Sequence, residues 1–137
     1  MNSNIHNPFR ISGGIFSFTT LLFFSLFINP LLSQPKMEWE STKHNFGAVK
    51  RGTVVRVTYK VRNTGSAPLL LKRAEFECSC TSAEIMQQPI MPGQSGTLTL
   101  IFNTATVYGR QDRVAEIISN VPGEPVRLRY KANVSRN

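Results

Sequence analysis

Thr53-Val54-Val55-Arg56-Val57-Thr58-Tyr59-Lys60-Val61-Arg62 alternates without a break: Val55, Val57, Tyr59 and Val61 on one parity, with Val54, Arg56, Thr58, Lys60 and Arg62 on the other. Successive side chains of an extended chain point to opposite faces, so the stretch reads as a strand with one face in a core and one in water. The pattern returns downstream. Residues 97–102 turn Leu98, Leu100 and Phe102 inward, and residues 125–134 set Val126, Leu128, Tyr130, Ala132 and Val134 against Arg127, Arg129, Lys131 and Asn133.

Weaker strand candidates fill the gaps at residues 37–41, 44–46, 69–76 running on toward Cys80, and 113–119. Leu69, Leu70 and Leu71 in a row suggest burial on both sides at the start of the third of these. Turn signals separate the strands: Gly47 and Gly52 bracket Lys50 and Arg51, Asn63-Thr64-Gly65 and Pro92-Gly93 follow, and Val121-Pro122-Gly123 comes late. Residues 85–92 read as a loop and 103–110 as a connection. No segment after residue 36 keeps a helical period. Short strands at this spacing indicate an all-β chain, an immunoglobulin-like β-sandwich of about seven strands.

The first 36 residues are of another kind. After Arg10 no charge occurs until Lys36, residues 15–28 are an apolar run rich in Phe and Leu, and Pro30 precedes Leu31, Leu32 and Ser33. This is the pattern of a hydrophobic helix that directs export, with Ser33 placed for cleavage. The rival is an uncleaved anchor, since the uncharged stretch 11–35 exceeds the roughly 20 residues that span a bilayer. The expected division is a signal peptide or anchor over 1–33, a linker over 34–36 and one domain over 37–137, exported to the periplasm or cell envelope. Two cysteines in an oxidising compartment are free to pair. The chain is basic, with sixteen Lys and Arg against eight Asp and Glu for a net charge of +8. Such a balance favours anionic partners without naming one.

His44-Asn45-Phe46-Gly47, Gly52, Val61-Arg62-Asn63-Thr64-Gly65 with Ala67-Pro68-Leu69, Cys78-Ser79-Cys80-Thr81, Pro92-Gly93 and Leu100-Ile101-Phe102-Asn103, in that order and spacing, resemble the bacterial family DUF1573. The likeness runs from about Trp39 to Val134. It implies an immunoglobulin-like domain of the sperm-protein and hydin type, found in exported envelope proteins with no established activity. Two positions depart from the family pattern: Ser79 stands where members commonly have Gly, and Val121 where they have an acidic residue. Ser79 argues against a left-handed backbone between the cysteines.

Two constellations could carry chemistry. Cys78 and Cys80, if on a strand, share a face with Cα atoms about 6.6 Å apart, near the upper limit for a disulfide, so a bond needs the backbone to bend. The alternatives are two buried apolar thiols, a redox pair, or a soft-metal site for copper or zinc with His44 as third ligand. Arg56, Lys60 and Arg62 on one strand and Arg127, Arg129 and Lys131 on another form the second constellation. They make a single basic face if their strands share a sheet, and two stripes if they do not. Either a solvated surface that discourages edge pairing or a docking surface for an anionic partner would look like this.

Catalysis finds no support in paired carboxylates, a phosphate-cradling Gly-rich loop or a nucleophile elbow, and no cofactor is expected. The reading is a non-catalytic exported module whose partner is another envelope protein or an anionic envelope polymer. Nucleic acid is not expected, because the aromatics needed for base stacking face inward. Membrane contact is expected only through an uncleaved N-terminal segment.

Overall fold

Odd-numbered residues of the Val54–Asn63 strand face inward: Tyr59, Val61 and Asn63 are buried while Arg56, Thr58, Lys60 and Arg62 lie in water. The computed structural model describes residues 33–123 and 125–136; the expected N-terminal helix falls outside them. Eight strands follow in chain order: β1 (Met37–Trp39), β2 (Lys43–Lys50), β3 (Val54–Asn63), β4 (Leu71–Phe76), β5 (Thr81–Ile85), β6 (Ser95–Asn103), β7 (Gly109–Ser119) and β8 (Val126–Ser135). They form two four-stranded sheets, ordered β1-β3-β6-β5 and β2-β8-β7-β4.

The alternating positions of the two sheets meet in a single core. Leu98, Leu100 and Phe102 of β6 are fully buried, as are Ala115 and Ile117 of β7 and Leu128 of β8, with Tyr130 almost so. Each of the buried leucine, isoleucine and phenylalanine side chains contributes about 1.5–3 kcal/mol on burial. Phe102 and Tyr130 meet across the sheets with ring centroids 5.4 Å apart, within the range for a favourable aromatic pair.

The chain changes sheet five times, and two of these crossings run directly from one edge strand to another. Residues 40–42 carry it from β1 to β2, and residues 77–80 from β4 to β5. β2 then runs parallel to β8, the one parallel pairing among the described strands. Gly47 does not open a turn, as the sequence suggests. It sits at φ +70° in a β-bulge between Asn45 and Ala48, and β2 continues to Lys50 before the chain turns at Arg51 and Gly52. A bulge residue in the left-handed region favours glycine, so the same Gly signal serves either reading.

Other expectations also change. Thr81–Ile85 is a strand that the sequence pattern does not announce, because an edge strand with one buried residue shows little contrast. Leu70 is 38% exposed between buried Leu69 and Leu71. A register shift between Leu71 and Arg73 then brings Ala74 and Phe76 to the inner side.

Polar side chains finish what the strands leave open. Asn63 is completely buried. Its Nδ2 donates to the carbonyls of Ala67 (2.7 Å) and Ile90 (2.8 Å), and its Oδ1 accepts from the amides of Gly65 (3.0 Å) and Lys36 (3.4 Å). Its backbone is also paired, with Gln94 and Gly93. One residue thus joins the lead-in to β1, the turn after β3 and the loop before β6. Gly65 permits this closeness, since a Cβ there would collide with the backbone of residues 34–36. At the opposite end of β3, buried Thr104 donates to the carbonyls of Thr53 (2.8 Å) and Lys50 (3.2 Å).

Replacing Asn63 with Ala removes all four side-chain hydrogen bonds, leaving the part-buried Ala67 carbonyl without its partner and the Ile90 carbonyl with the Leu69 amide alone, and is expected to cost about 3 kcal/mol by denaturant titration. Asn63→Asp, nearly isosteric, sets a carboxylate oxygen against those carbonyls and should cost at least as much; a loss under half that for both would show the hub to be dispensable. A second expectation concerns alkaline pH. Burial, reinforced by Tyr130, pushes the Tyr59 phenol up to about 12, and burial raises Tyr130 as well. The neutral phenols therefore lend stability that is complete below the unfolded value near pH 10 and is lost as pH climbs toward about 12. Thermal midpoints should fall across that window, and Tyr59→Phe should flatten the fall.

Candidate functional site

The cysteines lie in neither of the strands that flank them. β4 ends at Phe76 in one sheet and β5 begins at Thr81 in the other, so Cys78 and Cys80 occupy the four-residue crossing between sheets. There the backbone bends, the Cα atoms come to 5.3 Å, and the two residues are joined as a disulfide. This replaces the expectation of an extended pair about 6.6 Å apart and of two unpaired thiols. The crossing is held from both sides: Thr81 N donates to Cys78 O (3.3 Å) and Asn103 N to Cys80 O (2.8 Å). Cys80 packs on the core. Buried Thr81 places its hydroxyl 3.7 Å from Cys80 Sγ and 2.5 Å from the Tyr130 hydroxyl.

A disulfide sulfur carries no thiolate, so in this state the pair has neither nucleophile nor soft-metal ligand to offer. His44 stands on β2 with its ring edge-on to Phe46 at 4.6 Å. Among the described residues no three His, Cys, Asp or Glu side chains gather in a group able to hold a metal. The proposed ligand set of Cys78, Cys80 and His44 is not assembled.

The basic rows separate. Arg56, Lys60 and Arg62 lie on β3 and Arg127, Arg129 and Lys131 on β8, strands of different sheets, so they form two stripes on opposite outer faces. On the β3 side the stripe is balanced. Arg56 pairs with Glu84 at 3.0 Å, Lys60 with Glu40 at 3.8 Å, and Arg62 stands opposite Glu38 across the β1–β3 ladder. Three cations meet three carboxylates.

The β8 side is not balanced. Register places Lys43 and Lys50 of β2, Arg110 of β7 and Arg73 of β4 on the same outer face as Arg127, Arg129 and Lys131. Among the described residues only Asp112, Glu116 and Glu75 oppose these seven cations, an excess of four. Asp112 is gripped at both oxygens by Arg129, at 2.6 and 2.7 Å, with Lys131 at 3.6 Å. The Arg129 hydrogen bonds, aided by the charges of both cations, hold its carboxyl below the usual carboxylate range. Arg127 pairs with Glu116 and Arg73 with Glu75. Lys43, Lys50 and Arg110 form no ion pair among the described residues. A shallow trough follows the β2–β8 seam, with one depression of about 360 Å³ beside Lys43, His44 and Arg129. A second of about 500 Å³ lies beside Gly47, Arg110 and Asn133; both share Asn45 and Lys131. Sequence parity identifies the β8 row, but Lys43, Arg110 and Arg73 join it only through strand order.

The family described as "Protein of unknown function (DUF1573)" matches residues 37–134. No curated protein matches the chain. Among solved structures, a protein of unknown function from Porphyromonas gingivalis W83 is similar at 25% identity and a TM-score of 0.65; the match covers 76% of this chain but only half of that one. The ASH/PapD-like domain 7 of human CEP192 is similar at 9% identity and a TM-score of 0.59, over 76% of this chain and 88% of that domain. The secreted serine protease VesC from Vibrio cholerae has 14% identity and a TM-score of 0.51, over 75% of this chain and 23% of the protease. The latter two likenesses concern the fold alone.

The ring closed by the disulfide spans three residues, so its loss should cost only about 1.5 kcal/mol. Purified protein should show no titratable thiol before reductant and two afterwards, and the Cys78→Ser, Cys80→Ser double variant should keep the fold. Free thiols in the unreduced protein, or collapse of that variant, would contradict this account of the crossing.

Proposed function

This chain belongs to the DUF1573 family, and from that premise we propose that it is an exported, non-catalytic β-sandwich module of the bacterial cell envelope that binds or braces another envelope component. The Cys78–Cys80 disulfide carries the reading. It suits an oxidising compartment and ties up the two side chains most apt for nucleophilic or metal chemistry. The apolar run over residues 15–28 supports export independently. The interior supports a non-catalytic role, because both sheets commit their inward side chains to one packed core. What remains for a partner is the outer faces and edges.

Fractionation of the native bacterium tests compartment and chemistry together. The protein should appear in the envelope or periplasmic fraction with both cysteines protected from alkylation until reductant is added. Tagged full-length protein should capture the same envelope partner as the double-serine variant. Recovery from the cytosol with reactive thiols would sink the proposal. So would a folded double-serine variant that loses its partner, which would favour thiol chemistry instead.

A further inference from the structure

The two outer faces of this sandwich arise from the same alternation, yet they differ in charge. Among the described residues, one carries three cations and three carboxylates and the other carries seven cations and three carboxylates. Folding does not require the difference, since a balanced face keeps β3 and its neighbours in water equally well. We propose that the outer face of the β2-β8-β7-β4 sheet docks on the headgroup plane of an anionic lipid bilayer; this rests on the envelope-module reading and deepens it.

The layout of the charges favours a plane over a thread or a pocket. They are spread over all four strands, a width of roughly 14 Å at the spacing of neighbouring strands. Lys43 and Lys50 lie near the two ends of β2, roughly 23 Å apart at the rise per residue. A small anion would need converging donors, whereas Lys43, Lys50 and Arg110 sit apart, each unpaired among the described residues. Anionic headgroups attract such spaced cations individually and nearly additively.

The chain itself supplies a reason to meet a bilayer. Its apolar run ends at Ile28, eight residues before Lys36, a reach of at most about 28 Å when extended. Engaged in a membrane, during export or as an anchor, that run would hold the sandwich close enough for weak electrostatic contacts to act at high effective concentration.

Flotation of the full-length protein tests the proposal with vesicles of phosphatidylcholine alone and with 30% phosphatidylglycerol, in about 0.1 M salt. The neutral vesicles measure what the N-terminal run contributes by itself. Phosphatidylglycerol should tighten partitioning, and the Lys43→Gln, Lys50→Gln, Arg110→Gln variant should lose on the order of 100-fold of that gain. The opposite-face variant Arg56→Gln, Lys60→Gln, Arg62→Gln removes the same charge. It should lose less than about 5-fold, because the far face lies beyond the screening length of about 10 Å. Far-ultraviolet circular dichroism confirms that each variant is folded.

Equal losses in both variants would overturn the proposal, as would no preference for phosphatidylglycerol. Binding to inorganic polyphosphate that is sensitive to the first variant, without vesicle preference, would replace the lipid plane with a linear polyanion. Any of these with the protein still in the envelope and its disulfide intact sinks only the docking surface. Cytosolic recovery with free thiols sinks the envelope reading itself.

Discussion

The contact between Phe102 of β6 and Tyr130 of β8 brings the two sheets together at the centre of the core, and much of the molecule is arranged around its one polar consequence. A phenol at that depth needs a partner, since an unsatisfied buried hydroxyl costs about 1–3 kcal/mol. Thr81 provides it, with its oxygen 2.5 Å from that of Tyr130. Thr81 opens β5, so the partner for a group of the second sheet comes from an edge strand of the first. The crossing that delivers it is the short segment containing the disulfide. Ring packing, hydroxyl pairing and cysteine placement are therefore one arrangement.

The same logic governs the ends of the sandwich. Strand ladders cannot satisfy backbone groups where the chain turns away, and buried polar side chains take over. Asn63 serves this purpose at one end of β3 and Thr104 at the other. Both sit on the margins of strong apolar patterns. Trp39 is the exception: its Nε1 is the buried side-chain donor that finds no partner among the described residues.

The inward side chains of both sheets are given over to packing, a constraint from which the exposed positions are free. The structural neighbours span a human PapD-like domain and part of a secreted bacterial protease, a likeness of fold that leaves the exposed positions undetermined. In this chain those positions divide into a neutral face and a cationic one. The division comes from where acidic residues fall: Glu38, Glu40 and Glu84 match β3 closely, while Asp112, Glu116 and Glu75 leave cations over on the other sheet. Exposed ion pairs of this kind add little stability, so folding does not depend on the division.

Periodicity alone determined the inward faces of β3, β6 and β8, because each strand buries one parity and wets the other. It also determined the all-β class and the turn at Asn63-Thr64-Gly65. Of the edge strands β5 escaped it, with one buried residue, and the bulge in β2 hides behind a glycine that reads equally well as a turn. The candidate site was legible only as separate rows of residues. Whether Arg56 and Arg129 share a face depends on which sheet each strand joins, and strand order is a long-range outcome that local alternation does not encode. The cysteines follow the same rule, since two residues apart on a strand they stand too far apart for easy bonding. Only the crossing between sheets bends the backbone enough to join them.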